Sequence, residues 1–118
     1  MSNKVQVGLY GQKIAESFLI NKGMVLLDAN FRATGGEIDL IMKYHTYVVF
    51  VEVKYRKGLS YGYPREAIDF RKQQRIKKVA LHYIARRDLH NNDFRFDVVE
   101  IIEMQQNITV SHIENAFE

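Results

Sequence analysis

Glu37 and Asp39 lie two residues apart, and Glu52 and Lys54 lie two residues apart further along the chain. On a β-strand, period-two spacing puts both members of each pair on one face. The two β-patterned runs that carry them are joined at Tyr44–Tyr47, which reads as a hairpin connection. With the turn centred between His45 and Thr46, Asp39 falls opposite Glu52 and Glu37 opposite Lys54. Directly opposed residues share a face, with Cβ atoms ~5 Å apart. One face thus gathers Glu37, Asp39, Glu52 and Lys54, and the other carries Ile38, Leu40, Val51 and Val53. Glu37 facing Lys54 is an ordinary cross-strand ion pair. Asp39 facing Glu52 is not, because opposed like charges destabilise a sheet and each buried carboxylate adds a desolvation cost. Either one carboxyl is protonated or a cation sits between them. A hard divalent cation, Mg²⁺ or Mn²⁺, resolves the conflict when held by both carboxylates, a backbone carbonyl such as that of Val53, and waters. Lys54 then has a use beside that cation: it positions a water for attack on phosphorus. Glu37 stands by as an outer acid or a ligand to a second metal. A slip of one residue in register would dissolve the arrangement.

The elements that must position these residues follow from patterning. Residues 5–22 read as an amphipathic helix on Val7, Tyr10, Ile14, Phe18 and Leu19, stopped at Gly23. Residues 24–32 read as a first strand, Thr34-Gly35-Gly36 as a turn, 37–43 as a second strand and 47–55 as a third. The apolar run Val48–Val51 implies that both faces of the third strand are covered, so it is central. A loop follows at 57–63. Pro64 opens a helix that runs to about Arg87, with an interruption near Phe70. Its apolar stripe is Ile76, Val79, Ala80, Tyr83 and Ile84. Residues 94–102 and 107–113 complete the set, in the order α-β-β-β-α-β-β. The long helix is a parallel crossover, so the sheet is mixed.

The charge is distributed in blocks. Residues 54–87 hold eleven Lys/Arg against Glu66 and Asp69; residues 88–118 hold Arg95 against seven acids; residues 1–53 are balanced. A basic block beginning at Lys54 suits the backbone of a polyanion. Paired acids, a lysine and a basic helix together point to phosphodiester hydrolysis. The 118 residues suffice for one domain with its own core. The absence of cysteine excludes disulfides, a thiol nucleophile and Cys-ligated metal. The start of the chain has no apolar signal region, and no apolar run approaches the ~20 residues that span a bilayer. The expectation is a cytoplasmic protein without membrane contact. The four histidines show no ligand spacing, and Asp97, flanked by apolar residues, reads as a buried partner for an arginine.

Three linked motifs carry a resemblance. Gly36–Ile41 (GEIDLI), Phe50–Arg56 (FVEVKYR) and Arg95–Val99 (RFDVV) resemble the YraN-like family of bacterial proteins, within the restriction-endonuclease-like superfamily. The resemblance covers nearly the whole chain. It implies a single restriction-endonuclease-like α/β domain over 1–118, with a mixed sheet of about five strands flanked by helices. It also implies a nuclease pattern at Asp39, Glu52 and Lys54, with Glu37 at a further family position and Arg56 and Lys72 at basic ones. The family's first helix commonly carries Gly-Glu, where this chain has Gly11-Gln12. Gln12 is a poorer ligand; either Glu16, one turn later on the same helical face, substitutes for it, or metal binding is weaker.

The reading is therefore a Mg²⁺- or Mn²⁺-dependent nuclease acting on DNA in repair, recombination or processing. Arg56, Lys57, Arg65, Arg71, Lys72 and Arg75 hold the nucleic acid; Tyr61 and Tyr63 either stack on bases or cap the edge of the core. By analogy with domains acting on symmetric junctions, a homodimer is part of the expectation. The alternative is a nucleic-acid-binding protein that keeps the fold without turnover; Gln12 motivates it. A protein–protein adaptor explains neither the acid pair nor the basic block.

Overall fold

The computed structural model describes residues 4–58 and 68–118, with side chains from Gly8 onward in the first helix. The elements are α1 (Lys4–Asn21), β1 (Val25–Ala33), β2 (Gly36–Tyr44), β3 (Tyr47–Lys57), α2 (Phe70–Arg87), β4 (Asp93–Met104) and β5 (Asn107–Phe117). The five strands form one sheet in the order β1-β2-β3-β4-β5. The β3–β4 pair, joined through α2, is parallel, and the other neighbours are antiparallel. The expected α/β architecture and the central place of β3 are both found. Among the described residues, no helix is long and apolar enough to cross a membrane.

Each helix covers one face of the sheet. Alternation along β3 sends Val48 and Phe50 toward α2, where Ile76, Val79, Ala80, Tyr83 and Ile84 close a core. That stripe of α2 is the one the periodicity predicts. Val49 and Val51 point the other way, to Ala15 and Leu19 of α1. The contact face of α1 holds the expected Ile14, Phe18 and Leu19 but not Tyr10. Tyr10 is largely exposed, touching the Tyr55 ring edge-on at 5.8 Å, and the buried line is Gly11, Ala15 and Leu19. Small residues bring the helix close: a Cβ on Gly11 would lie 2.9 Å from Tyr55 Cβ. Gly11→Ala gains up to ~1 kcal/mol of helix propensity but costs more in overpacking. The expected result is a net loss of about 1 kcal/mol, read by urea denaturation.

The second helix runs from Phe70 with Ile68 and Asp69 outside it, so the expected interruption near Phe70 is found. Asp69 caps it, its Oδ1 accepting from Lys72 N at 2.9 Å, which satisfies one of the free amides of the first turn. Pro64, Tyr61, Tyr63 and Arg65 lie outside the described residues. At the other end Arg86 and Arg87 complement the helix dipole, and Asp88 turns the chain with φ 53.

The hairpin register is the expected one from Tyr44↔Tyr47 to Leu40↔Val51, but the ladder ends there. Asp39 and Glu52 are not backbone partners. The expected face assignment also fails at Ile38, which joins the α2 core while Leu40 joins the α1 core. The reason lies in β1. The β1–β2 ladder passes from Ala29↔Leu40 to Phe31↔Ile38, and between them Asn30 has φ 54. A left-handed residue interrupts the pleat. Ala29 and Leu40 pack on one face, Phe31 and Ile38 on the other, and Asp39 sits at the break.

Candidate active site

Where β2 leaves the β2–β3 ladder, a side chain takes over from the backbone. Asp39 Oδ2 accepts a hydrogen bond from Val53 N at 2.8 Å. This bond fixes the Asp39 carboxylate against β3, beside Glu52. The side chain of Glu52 continues the α2-facing row of Val48 and Phe50 and is 9% exposed. Lys72, in the first turn of α2, reaches down and places Nζ 2.6 Å from Glu52 Oε1.

The electrostatics follow from this geometry. Burial and the charge of Glu52 push Asp39 up from the usual carboxylate range to about 7, with Glu37 adding to the rise. The Val53 N–H and the Lys72 ammonium oppose it. Two adjacent carboxyls titrate as a pair, and the second charge is the costly one. The conflict foreseen from sequence thus has two partial answers in the protein itself. Lys72 neutralises Glu52, and Asp39 keeps its proton to near neutrality.

The sign of the resulting pH dependence is definite. A carboxyl whose folded pKa lies above its unfolded value stabilises the fold most when protonated. That contribution is complete below the unfolded value near 3.8 and is lost as pH rises through about 7. Without divalent ions, Asp39→Asn is expected to exceed the parent in stability at pH 8, an advantage that disappears by pH 4. Guanidinium denaturation at the two pH values, in EDTA, measures it.

Two oxygen-bearing side chains held side by side, with a cation already drawn to one of them, fit a hard divalent ion such as Mg²⁺ or Mn²⁺. Among the described residues, no group of three or more His, Asp or Glu converges to hold one. An ion here would rest on Asp39 and Glu52 and keep open positions for water and phosphate, the usual habit of Mg²⁺. Lys54 lies on the same face as Glu52, two residues on, and its parallel partner on β4 is Glu100. Glu100 is 2% exposed and adds an acid to this face. Sequence reasoning missed it. The signal was an acid inside the apolar run Val98–Ile102, in line with the Asp97 that was noticed.

The remaining expected residues are scattered. Glu37 is tied to Arg32, its register partner, at 3.1 Å. Gln12 and Glu16 belong to α1, whose buried residues pack on the Val49 and Val51 face, whereas Glu52 opens toward α2. Arg71 and Arg75 are exposed on α2, Lys57 is exposed at the end of β3, and Arg56 is half-buried. Arg75 flanks the β1–β2 turn, with its Cβ 3.8 Å from where a side chain on Gly36 would start. Lys72 is not with the surface cations: its ammonium is in the acid site. Gln73 donates to Ile68 O at 2.8 Å and so holds the entry to α2.

A second polar cluster lies on β4 and β5. Asp97 is fully buried and accepts from Arg95 Nε and Nη2 at 3.1 Å each and from Asn115 N at 2.9 Å. His112 Nε2 is 2.7 Å from Asp97 Oδ2, and Lys22 Nζ is 2.9 Å from its Nδ1. The expected buried arginine partner is therefore Arg95. Near Arg95, a cleft of about 480 Å³ opens between Tyr47, Phe94, Phe96 and Phe117, at the start of β3 and β4 and away from the acid pair.

Comparison with known proteins places the chain in a family. Residues 11–101 match the sequence model described as "Uncharacterised protein family UPF0102". That span contains all three linked motifs and every acid of the site. A UPF0102 protein of Clostridium botulinum strain 657 is 45% identical over 115 residues, covering 95% of this chain and 94% of its own length. One from Clostridioides difficile strain 630 is 42% identical over 117 residues, covering 99% of this chain and all of its own. One from Caldanaerobacter subterraneus subsp. tengcongensis is 46% identical over 118 residues, covering 98% of this chain and 97% of its own. With the family model matched over most of its length and relatives similar across nearly all of it, the chain belongs to the UPF0102 family.

Proposed function

We propose that this protein is a divalent-metal-dependent nuclease acting on DNA. The observation that carries the reading is Asp39 locked by Val53 N–H beside a buried Glu52, with Lys54 two residues further on the same strand. Structure alone gives no reason to force two carboxyls together where a proton and a lysine must offset their repulsion. A site built to receive a divalent cation gives one.

In this reading Asp39 and Glu52 hold Mg²⁺ or Mn²⁺, which when bound supplies Lewis-acid polarisation of the phosphate and a lowered water pKa. Lys54 orients the attacking water and stabilises the charge that develops as its oxygen bonds to phosphorus. The attacking water gives up a proton to solvent, the P–O bond opposite the attack breaks, and the leaving oxygen takes a proton from solvent. Arg71 and Arg75 on the exposed side of α2, with Lys57, hold the sugar–phosphate backbone over the acids. No base-reading motif is recognisable in the sequence, so the reading includes no sequence specificity.

The test is cleavage of labelled duplex, single-stranded, flapped and four-way-junction DNA in Mg²⁺ and then Mn²⁺. Parent and Lys54→Ala are run in parallel. Cleavage by the parent and none by the variant supports the reading. Salt-dependent binding that needs no metal, without cleavage of any substrate, replaces it with a nucleic-acid-binding protein. Lys72 on Glu52 favours that second reading, because it lets the fold stand without metal.

A further inference from the structure

Lys72 is the most unusual cation of the fold. The Lys and Arg side chains on α2 have no acid in their own helix to meet. Arg87 reaches the part-exposed Asp28 of β1, whereas Lys72 binds the buried acid of β3, with its side chain 44% exposed and that of Glu52 9% exposed. The asymmetry matters. Glu52 is held by the packing of a central strand, whereas Lys72 hangs on a flexible four-carbon stem whose outer half is in water. Its backbone is anchored separately, by the Asp69 cap, so the ammonium can leave without disturbing the helix. Its charge acts on Asp39 as well as on Glu52. One ammonium therefore serves both acids.

We propose that Lys72 is an exchangeable counter-ion, which holds the acid pair together in the metal-free protein and gives up Glu52 when a divalent cation binds. This rests on the metal-dependent reading above. The physical reason is competition. A divalent cation and an ammonium cannot both approach the same carboxylate oxygens without strong mutual repulsion in a partly buried site. The divalent cation also neutralises both acids at once. The released ammonium stands at the edge of the site, beside Arg71 and Arg75, where it can take a phosphate oxygen. Metal and nucleic acid would then assist one another: metal frees the lysine, and phosphate keeps it from returning.

The test uses the full chain without nucleic acid. Mn²⁺ binding is measured by titration calorimetry on the parent, Lys72→Met and Lys72→Arg. Lys72→Met keeps the stem and removes the charge. It is expected to bind Mn²⁺ ~10-fold more tightly than the parent, while Lys72→Arg stays near the parent. In EDTA at pH 8, Lys72→Met is expected to melt below the parent, and saturating Mn²⁺ is expected to close that gap. Unchanged or weaker Mn²⁺ binding by Lys72→Met overturns the exchange and leaves the metal reading standing. Absence of Mn²⁺ binding by all three proteins overturns both. A Mg²⁺ titration of the parent, followed at the Lys72 Nζ resonance, needs no substitution. The resonance is expected to move as the metal binds, and a fixed resonance while the site carboxyls respond overturns the proposal.

Discussion

Asp39→Asn is expected to abolish metal-dependent DNA cleavage, by about three orders of magnitude in rate, without unfolding the protein. The substitution is nearly isosteric, and its amide oxygen can still accept from Val53 N, so the break in the β2–β3 ladder keeps its bond. What disappears is one of the two charges that, on the proposed reading, hold the cation. Loss of a properly placed electrostatic group in an active site costs roughly 10²–10³ in rate, and a metal site left with one carboxylate loses affinity as well. The measurement is single-turnover cleavage at saturating protein, across a range of Mn²⁺ concentrations. A rate that recovers at high Mn²⁺ assigns Asp39 to metal affinity. A rate that stays low assigns it to the geometry of the reacting complex. Circular dichroism and DNA binding should match the parent, since the cations proposed to hold the DNA backbone are on α2 and at the end of β3. A parental cleavage rate in Asp39→Asn would remove Asp39 from the chemistry.

Asp97→Ala is expected to be the most damaging single change to stability, at about 3–5 kcal/mol. A whole domain is stable by only about 5–15 kcal/mol. Asp97 is fully buried and gathers Arg95, His112 and the Asn115 amide. Removing it leaves the Arg95 guanidinium, with its side chain 13% exposed, without its bidentate partner. The relation to pH is opposite to that of Asp39. Burial alone raises Asp97, but the hydrogen bonds from His112, Asn115 and Arg95, with the arginine's charge, outweigh it and hold the carboxyl below its ordinary range. A depressed carboxyl contributes stability above its unfolded pKa and loses it as pH falls through the folded value. The gap between parent and Asp97→Ala is therefore expected to be widest at neutral pH and to close in acid. Urea denaturation at pH 7 and at pH 3 measures it; an equal gap at both values would mean that the loss comes from packing rather than from charge. The two buried aspartates can thus be told apart by pH alone.

The acids, their spacing and most of the fold were legible in the amino-acid sequence, because they depend on short-range periodicity. The two-residue turn at His45-Thr46 determines the register of its own hairpin, so Leu40 and Val51 had to pair. A 3.6-residue repeat determines which side of α2 is buried, and the five residues it names are the five found. An unbroken apolar run such as Val48–Val51 belongs in the middle of a sheet, whatever lies around it. Tertiary structure alone decided what lies beyond the reach of such periods. Asn30, with a positive φ that no local pattern announces, interrupts the pleat at Asp39 and sends Ile38 to the other face. The crossover through α2 lays Glu100 beside Lys54 and drops Lys72 onto Glu52, joining residues from three elements that no repeat connects. The first helix packs through Gly11 and Ala15 as well as Leu19, with Tyr10 left outside, because close approach to β3 at Tyr55 leaves no room for a side chain at Gly11. Spacing along the chain chose the chemical groups, and packing between distant segments chose their charge states and their partners.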